Sequence, residues 1–94
     1  MRTETEDRLD KLFVQIDKES ISRDEIEPEL HALFHAFDDP YYREKVQSAI
    51  DNAVVYARPL KPEKHGEAEK VRALLLHDLA AASRRIAQLK DVDQ

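Results

Sequence analysis

The chain has 94 residues, 41% of them hydrophobic and 37% charged, with a formal net charge of -5; a chain of this size buries only roughly 60 to 65% of its unfolded surface, so residues 1–94 are read as one helical domain with a modest core. The absence of cysteine excludes a disulfide framework and a thiolate metal site and fits a cytoplasmic setting. The acidic opening MRTETEDRLD is unlike a secretory signal, no apolar run approaches the ~20 residues of a membrane span, and the negative balance disfavours nucleic acid as a partner, because phosphate contacts need clustered cations.

One glycine, four prolines and scattered aromatic residues lack the turn-dense signature of a β-sandwich. The predicted fold class is all-α, a small bundle of three to four antiparallel helices with a long C-terminal helix. Thr3 and Glu6 form a capping box, and Leu9, Leu12, Phe13 and Ile16 recur at helical spacing behind it, which predicts a first helix over about residues 4 to 18. Ser22 and Glu25 form a second capping box, and Ile26, Leu30, Leu33, Phe34 and Phe37 line one face of the second element. Pro28 makes this either a short turn with a helix starting at the proline, or one kinked helix.

Asp38-Asp39-Pro40 closes one element and opens the next, with an acidic cap and proline at the first helical position. Tyr42, Val46, Ile50, Ala53 and Ala57 make the stripe of the third helix, while Tyr41 and Tyr56 fall off it and either anchor a partner or pack on the edge of the bundle. Arg58-Pro59-Leu60-Lys61-Pro62 cannot continue a helix and reads as a rigid linker. The last helix is predicted over Pro62 to Lys90, with Gly66 fraying its first turn. It would span roughly 40 Å, against a radius of gyration near ~12 Å for a compact domain of this length, so a further surface is expected to cover its far end.

Charge is uneven along this plan. Residues 1–60 carry 8 Lys and Arg against 14 Asp and Glu, and residues 61–90 carry 7 against 4, which predicts that the basic last helix lies against the acidic first two. Lys61, Lys64, Lys70, Arg72, Arg84 and Arg85 spread around that helix with no interleaved aromatic residue, unlike a nucleic-acid face.

The run Asp17-Lys18-Glu19-Ser20-Ile21-Ser22-Arg23-Asp24-Glu25-Ile26, after the apolar Phe13 and Ile16, resembles the calcium loop and exiting helix of an EF-hand. That resemblance implies calcium held by oxygen ligands at alternate positions and by a closing glutamate. The run departs from the pattern, because an EF-hand loop needs ~12 residues, an internal glycine and a middle aspartate, whereas Asp17 to Glu25 is shorter and has neither. The departure removes the cation cage and leaves a helix-turn-helix junction capped by Ser22.

His31, His35 and Asp38 project from one side of the second helix, joined by Asp24 and Glu27 if that helix begins before Pro28. Two histidines four residues apart can ligate zinc with a carboxylate as third ligand, or titrate near neutrality; a solvated face with pairs such as Glu27 and His31 explains the same pattern. A zinc-protease motif is excluded by Ala32 beside the first histidine. With one glycine there is no phosphate loop, and no nucleophile turn and no paired Glu-x-x-His helices are present. No enzyme activity, metal or other cofactor is expected.

Val71, Leu75, Leu79, Ala82, Ile86 and Leu89 fall on one stripe of the last helix, with Leu76, Ala80, Ser83 and Ala87 as a second ridge of mainly small residues. The expected function is that of a small homo-oligomeric protein-protein interaction module, a regulator, inhibitor or adaptor acting through this helix. A metal-binding or pH-sensing protein using His31 and His35 is the alternative. A homodimer is expected to cross two last helices antiparallel between Ala81 and Ala82, with Asp78 facing Arg85 and Leu74 facing Leu89.

Overall fold

A computed structural model describes residues 3–58 and 65–92. Among these residues there are four helices and no strand: α1 Glu4–Asp17, α2 Arg23–Phe34, α3 Pro40–Ala57 and α4 His65–Val92. The all-α bundle expected from the sequence is the observed fold.

The helix ends follow from local chemistry. At α1 the capping box is complete: the Glu6 amide donates to the Thr3 hydroxyl at 3.1 Å, and Glu6 Oε1 accepts from the Thr3 amide at 3.1 Å. The helix closes in a Schellman motif, in which the Ser20 amide donates to the Gln15 carbonyl at 2.8 Å and the Glu19 amide to that of Ile16 at 3.1 Å. Glu19 takes the left-handed position usually given to glycine, with φ 54°. The stretch that resembles a calcium loop is therefore occupied by a helix stop and a new helix start.

The α2 helix begins ahead of Pro28 and runs through it as a single element, so the turn-then-helix alternative does not occur. Pro28 sits on the exposed side, where its ring displaces little, although the Asp24 carbonyl loses its helical donor. Ser22 occupies the N-cap, yet its hydroxyl donates to the Asp24 carboxylate and caps no backbone amide. The second capping box is thus not formed, because Asp24 competes for the hydroxyl. The helix ends at Phe34, and Phe37 packs from the following connection edge-on against the Tyr42 ring at 5.4 Å.

At α3 the prediction holds in detail. Asp39 is the N-cap, accepting from the Tyr42 amide at 2.9 Å, and Pro40 is the first helical residue. The buried stripe is shifted, however: Tyr56 is buried and Ala57 is exposed. Tyr56 lies three residues beyond Ala53 and seven beyond Ala49, both fully buried, which is helical spacing.

Packing arranges the four helices in a ring. Close seams join α3 to α4, α2 to α3 and α1 to α4, a thin seam joins α1 to α2, and the backbones of the diagonal pairs stay apart among the described residues. Leu9, Ile16, Ile26, Leu30, Leu33, Tyr42, Val46, Leu75, Leu79 and Ile86 are buried to within 2% of full enclosure at its centre. Each such side chain stabilises the fold by about 1.5 to 3 kcal/mol relative to exposure. The molecule measures 50 × 23 × 19 Å with a radius of gyration of 13.6 Å, elongated along α4.

The 28 residues of α4 extend about 42 Å, beyond either neighbour. Its core side is nevertheless buried by its own chain from Ala68 to Ile86, so the expected external cover is not needed there. The basic helix also chooses different acidic neighbours from those predicted. It lies alongside α1 and α3, and α2 stands diagonally across the ring from it. The predicted start at Pro62, the Arg58-to-Pro62 linker beyond Arg58, and Lys61 and Lys64 lie outside the described residues.

Candidate functional site

Among the described residues three carboxylates are buried, those of Glu6, Asp39 and Asp78, and all three belong to α4 or bind it. Glu6 in the first turn of α1 receives the Lys90 ammonium. The Lys90 hydrogen bond, opposed by burial and helped by the Thr3 amide, holds the Glu6 carboxyl below its ordinary 4.5. Asp39 accepts a fork from Arg85, Nε at 3.0 Å and an η nitrogen at 3.2 Å. That fork and the Tyr42 amide hold its carboxyl below the ordinary 3.8, and the same pair raises Arg85. Beneath them the Tyr42 hydroxyl donates to the Leu33 carbonyl, and burial pushes it up to about 12.

Asp78 is the exception in kind. It is 6% exposed and has only neutral donors, the Ser48 hydroxyl at 2.8 Å and the Asn52 amide at 3.3 Å, both on Oδ2. Oδ1 accepts no hydrogen bond from the described residues and keeps contact with solvent.

The residues expected at a self-association interface divide accordingly. Ala82 is fully enclosed in the core and Ala81 is 5% exposed against α3, so the crossing point between them is already occupied by the chain's own helices. Arg85 is bound to Asp39 and Asp78 to Ser48 and Asn52, and the reciprocal Asp78–Arg85 pairing would require these contacts to break. Leu89 is half-buried. Of these residues Leu74 alone points outward, at 52% the most exposed large apolar side chain among the described residues.

Around Leu74 the α3/α4 seam forms one outer surface. The Asp78–Ser48 and Asp39–Arg85 bonds set the antiparallel register of the two helices, in which Ser48 lies level with Asp78 and Val55, itself 40% exposed, level with Val71, one helical turn from Leu74. Tyr41, 43% exposed, ends the surface, its ring flanked by Lys45 at 5.4 Å and Arg85 at 5.6 Å. Of the two tyrosines considered as anchors, only Tyr41 faces outward. Tyr56 is buried under the Arg23 guanidinium, 4.3 Å from its ring.

The histidine face does not assemble into one site. His31 meets Glu27 at 3.4 Å, His35 is the C-cap of α2 with its ring edge-on to Phe34 at 5.1 Å, and Asp38 pairs with Arg43 at 3.0 Å. Because α2 stops at Phe34, His35 and Asp38 lie beyond the helix, and no group of three His, Asp or Glu side chains among the described residues is placed to hold a metal ion. A groove of about 480 Å³ opens along the thin α1/α2 seam, with Arg8 facing Glu29 across it at 3.8 Å.

Sequence reasoning missed Val55, Ser48 and Asn52. Spacing marks two of them, since Tyr41, Ser48 and Val55 recur every seven residues beside the α3 stripe, but only the helix register shows that Ser48 and Asn52 meet Asp78, one turn from Leu74. No helix among the described residues is long and apolar enough to cross a membrane. The chain matches no protein-family model, and comparison with curated proteins and with solved structures returns no relative.

Proposed function

We propose that this protein is a non-catalytic interaction module, a cytoplasmic regulator, inhibitor or adaptor, whose first partner is a second copy of itself bound through the outer side of α4. One observation carries the reading: Leu74, at 52% the most exposed large apolar side chain among the described residues, stands on the α3/α4 seam one helical turn from Val55 at 40%, with the small Ser48 bonded to Asp78 one turn further along. Exposed apolar side chains gathered on one face favour a protein partner, and small neighbours let a helix approach closely.

Sedimentation equilibrium across a wide concentration range tests it. The parent is expected to associate reversibly, and Leu74→Glu and Val55→Glu are each expected to shift the mass toward the monomer while leaving the helical circular dichroism unchanged, because both sites are exposed. A parent that stays monomeric at every concentration overturns the reading.

A further inference from the structure

Building on self-association through α4, we infer that two copies meet with Leu74 on the two-fold axis, and that Lys70 of each copy reaches the free oxygen of Asp78 in the other. Lys70, Leu74 and Asp78 follow one another at intervals of four residues. They form a single ridge running obliquely across the outer side of α4 from solvent into the α3/α4 seam.

Charge decides how two such ridges align. Ridges of this type pack side by side when the helices cross at about 50°, and a two-fold axis through Leu74 allows two arrangements. One sets Lys70 on Lys70 and Asp78 on Asp78, which like-charge repulsion forbids. The other runs the ridges in opposite directions and sets Lys70 on Asp78 twice, an isologous contact with reciprocal pairs.

The state of both groups suits this second arrangement. Lys70 is exposed and makes no ion pair among the described residues. Asp78 is buried with neutral donors on Oδ2 alone, so among the described residues Oδ1 has no partner, at the base of the surface that the second copy would cover. Covering a carboxylate without a cation is costly; the lysine supplies that cation. The pairing keeps Asp39–Arg85 and Asp78–Ser48 intact, which the crossing between Ala81 and Ala82 does not.

The chain contains no cysteine, so single-cysteine variants report proximity directly. Leu74→Cys is expected to form a disulfide-linked dimer on mild oxidation of the full chain, while Ala73→Cys and His77→Cys, exposed one and three positions away, are not. Lys70→Glu is expected to weaken association at least ~10-fold by placing like charges together twice, Lys70→Arg to preserve it, and added salt to weaken the parent more than Lys70→Met. Lys70 is exposed, so folding is not at risk, and circular dichroism verifies this. If the parent associates but Leu74→Cys does not cross-link and Lys70→Glu sediments like the parent, the pairing is wrong while self-association stands. If the parent does not associate, both fall.

Discussion

Replacing Glu19 by glycine is expected to stabilise this protein. Glu19 is the residue among those described that takes a positive φ without being glycine, at 54°, because the Schellman closure of α1 needs a left-handed residue there. For an L-amino acid that conformation costs roughly 1 to 2 kcal/mol. Glycine removes this cost but gives the unfolded chain more freedom, which returns about 0.5 to 1 kcal/mol. Glu19→Gly also loses the contact with Arg72 at 3.5 Å, an exposed pair that adds little. The net expectation is a gain of about 0.5 to 1 kcal/mol, which for a domain of this size raises Tm by roughly 2 to 8 °C. Thermal unfolding followed by circular dichroism measures it, with Glu19→Ala as control. Alanine loses the Arg72 contact and keeps the strain, so it should not gain. If glycine lowers Tm, or alanine raises it equally, the left-handed residue is not what limits stability at this junction.

Other consequences are equally open to measurement. Ser22→Ala should change the denaturant midpoint far less than the ~1 kcal/mol of a true N-cap loss, since the hydroxyl caps no backbone amide. Pro28→Ala should stabilise, by up to ~3 kcal/mol less the entropy the unfolded chain regains, by restoring the donor for the Asp24 carbonyl; a loss of stability would mean the ring is required. Acid should unfold the protein through Glu6 and Asp39. Both carboxyls lie below their ordinary values in the folded state, so the unfolded chain binds more protons in acid. Their contribution is present above about pH 4.5 and fades as pH falls through 4.5 and 3.8 toward the lower folded values. In Lys90→Met combined with Arg85→Met, the acid dependence of Tm should flatten.

The helices were legible in the sequence because their signals are local. Thr3 with Glu6, and Asp39 with Pro40, name helix starts through contacts within one turn, and Leu9, Leu12 and Ile16 mark a face by spacing alone. One local signal misled. Ser22 and Glu25 have the spacing of a capping box, but Asp24 draws the hydroxyl away. Pro28 left a choice between a turn and one kinked helix, and on the exposed face a single helix passes through it. The end of α2 was illegible for another reason: nothing between Leu33 and Asp38 is a helix breaker, and Phe37 leaves the helix to stack on Tyr42, a contact between two elements.

The candidate site was legible in its residue types and not in their pairing. Asp78 and Arg85, seven residues apart beside an apolar stripe, invite a reading in which each awaits a partner, and a buried charge does need one. What the sequence withholds is which helix flanks which side of α4. Once α3 takes the side bearing both residues, the Asp39 that caps α3 satisfies Arg85, and Ser48 and Asn52 meet Asp78 with neutral donors. The two charges thereby part company. Arg85 is bound within the chain by a carboxylate that also fixes the start of α3, so it positions the seam. Asp78 retains an oxygen that no donor among the described residues reaches, one turn from the one leucine on α4 that the fold leaves outside. Folding thus leaves one charge and one apolar side chain incomplete at the same place, and in the proposed pairing a second copy of the chain would bring the Lys70 and Leu74 that complete them.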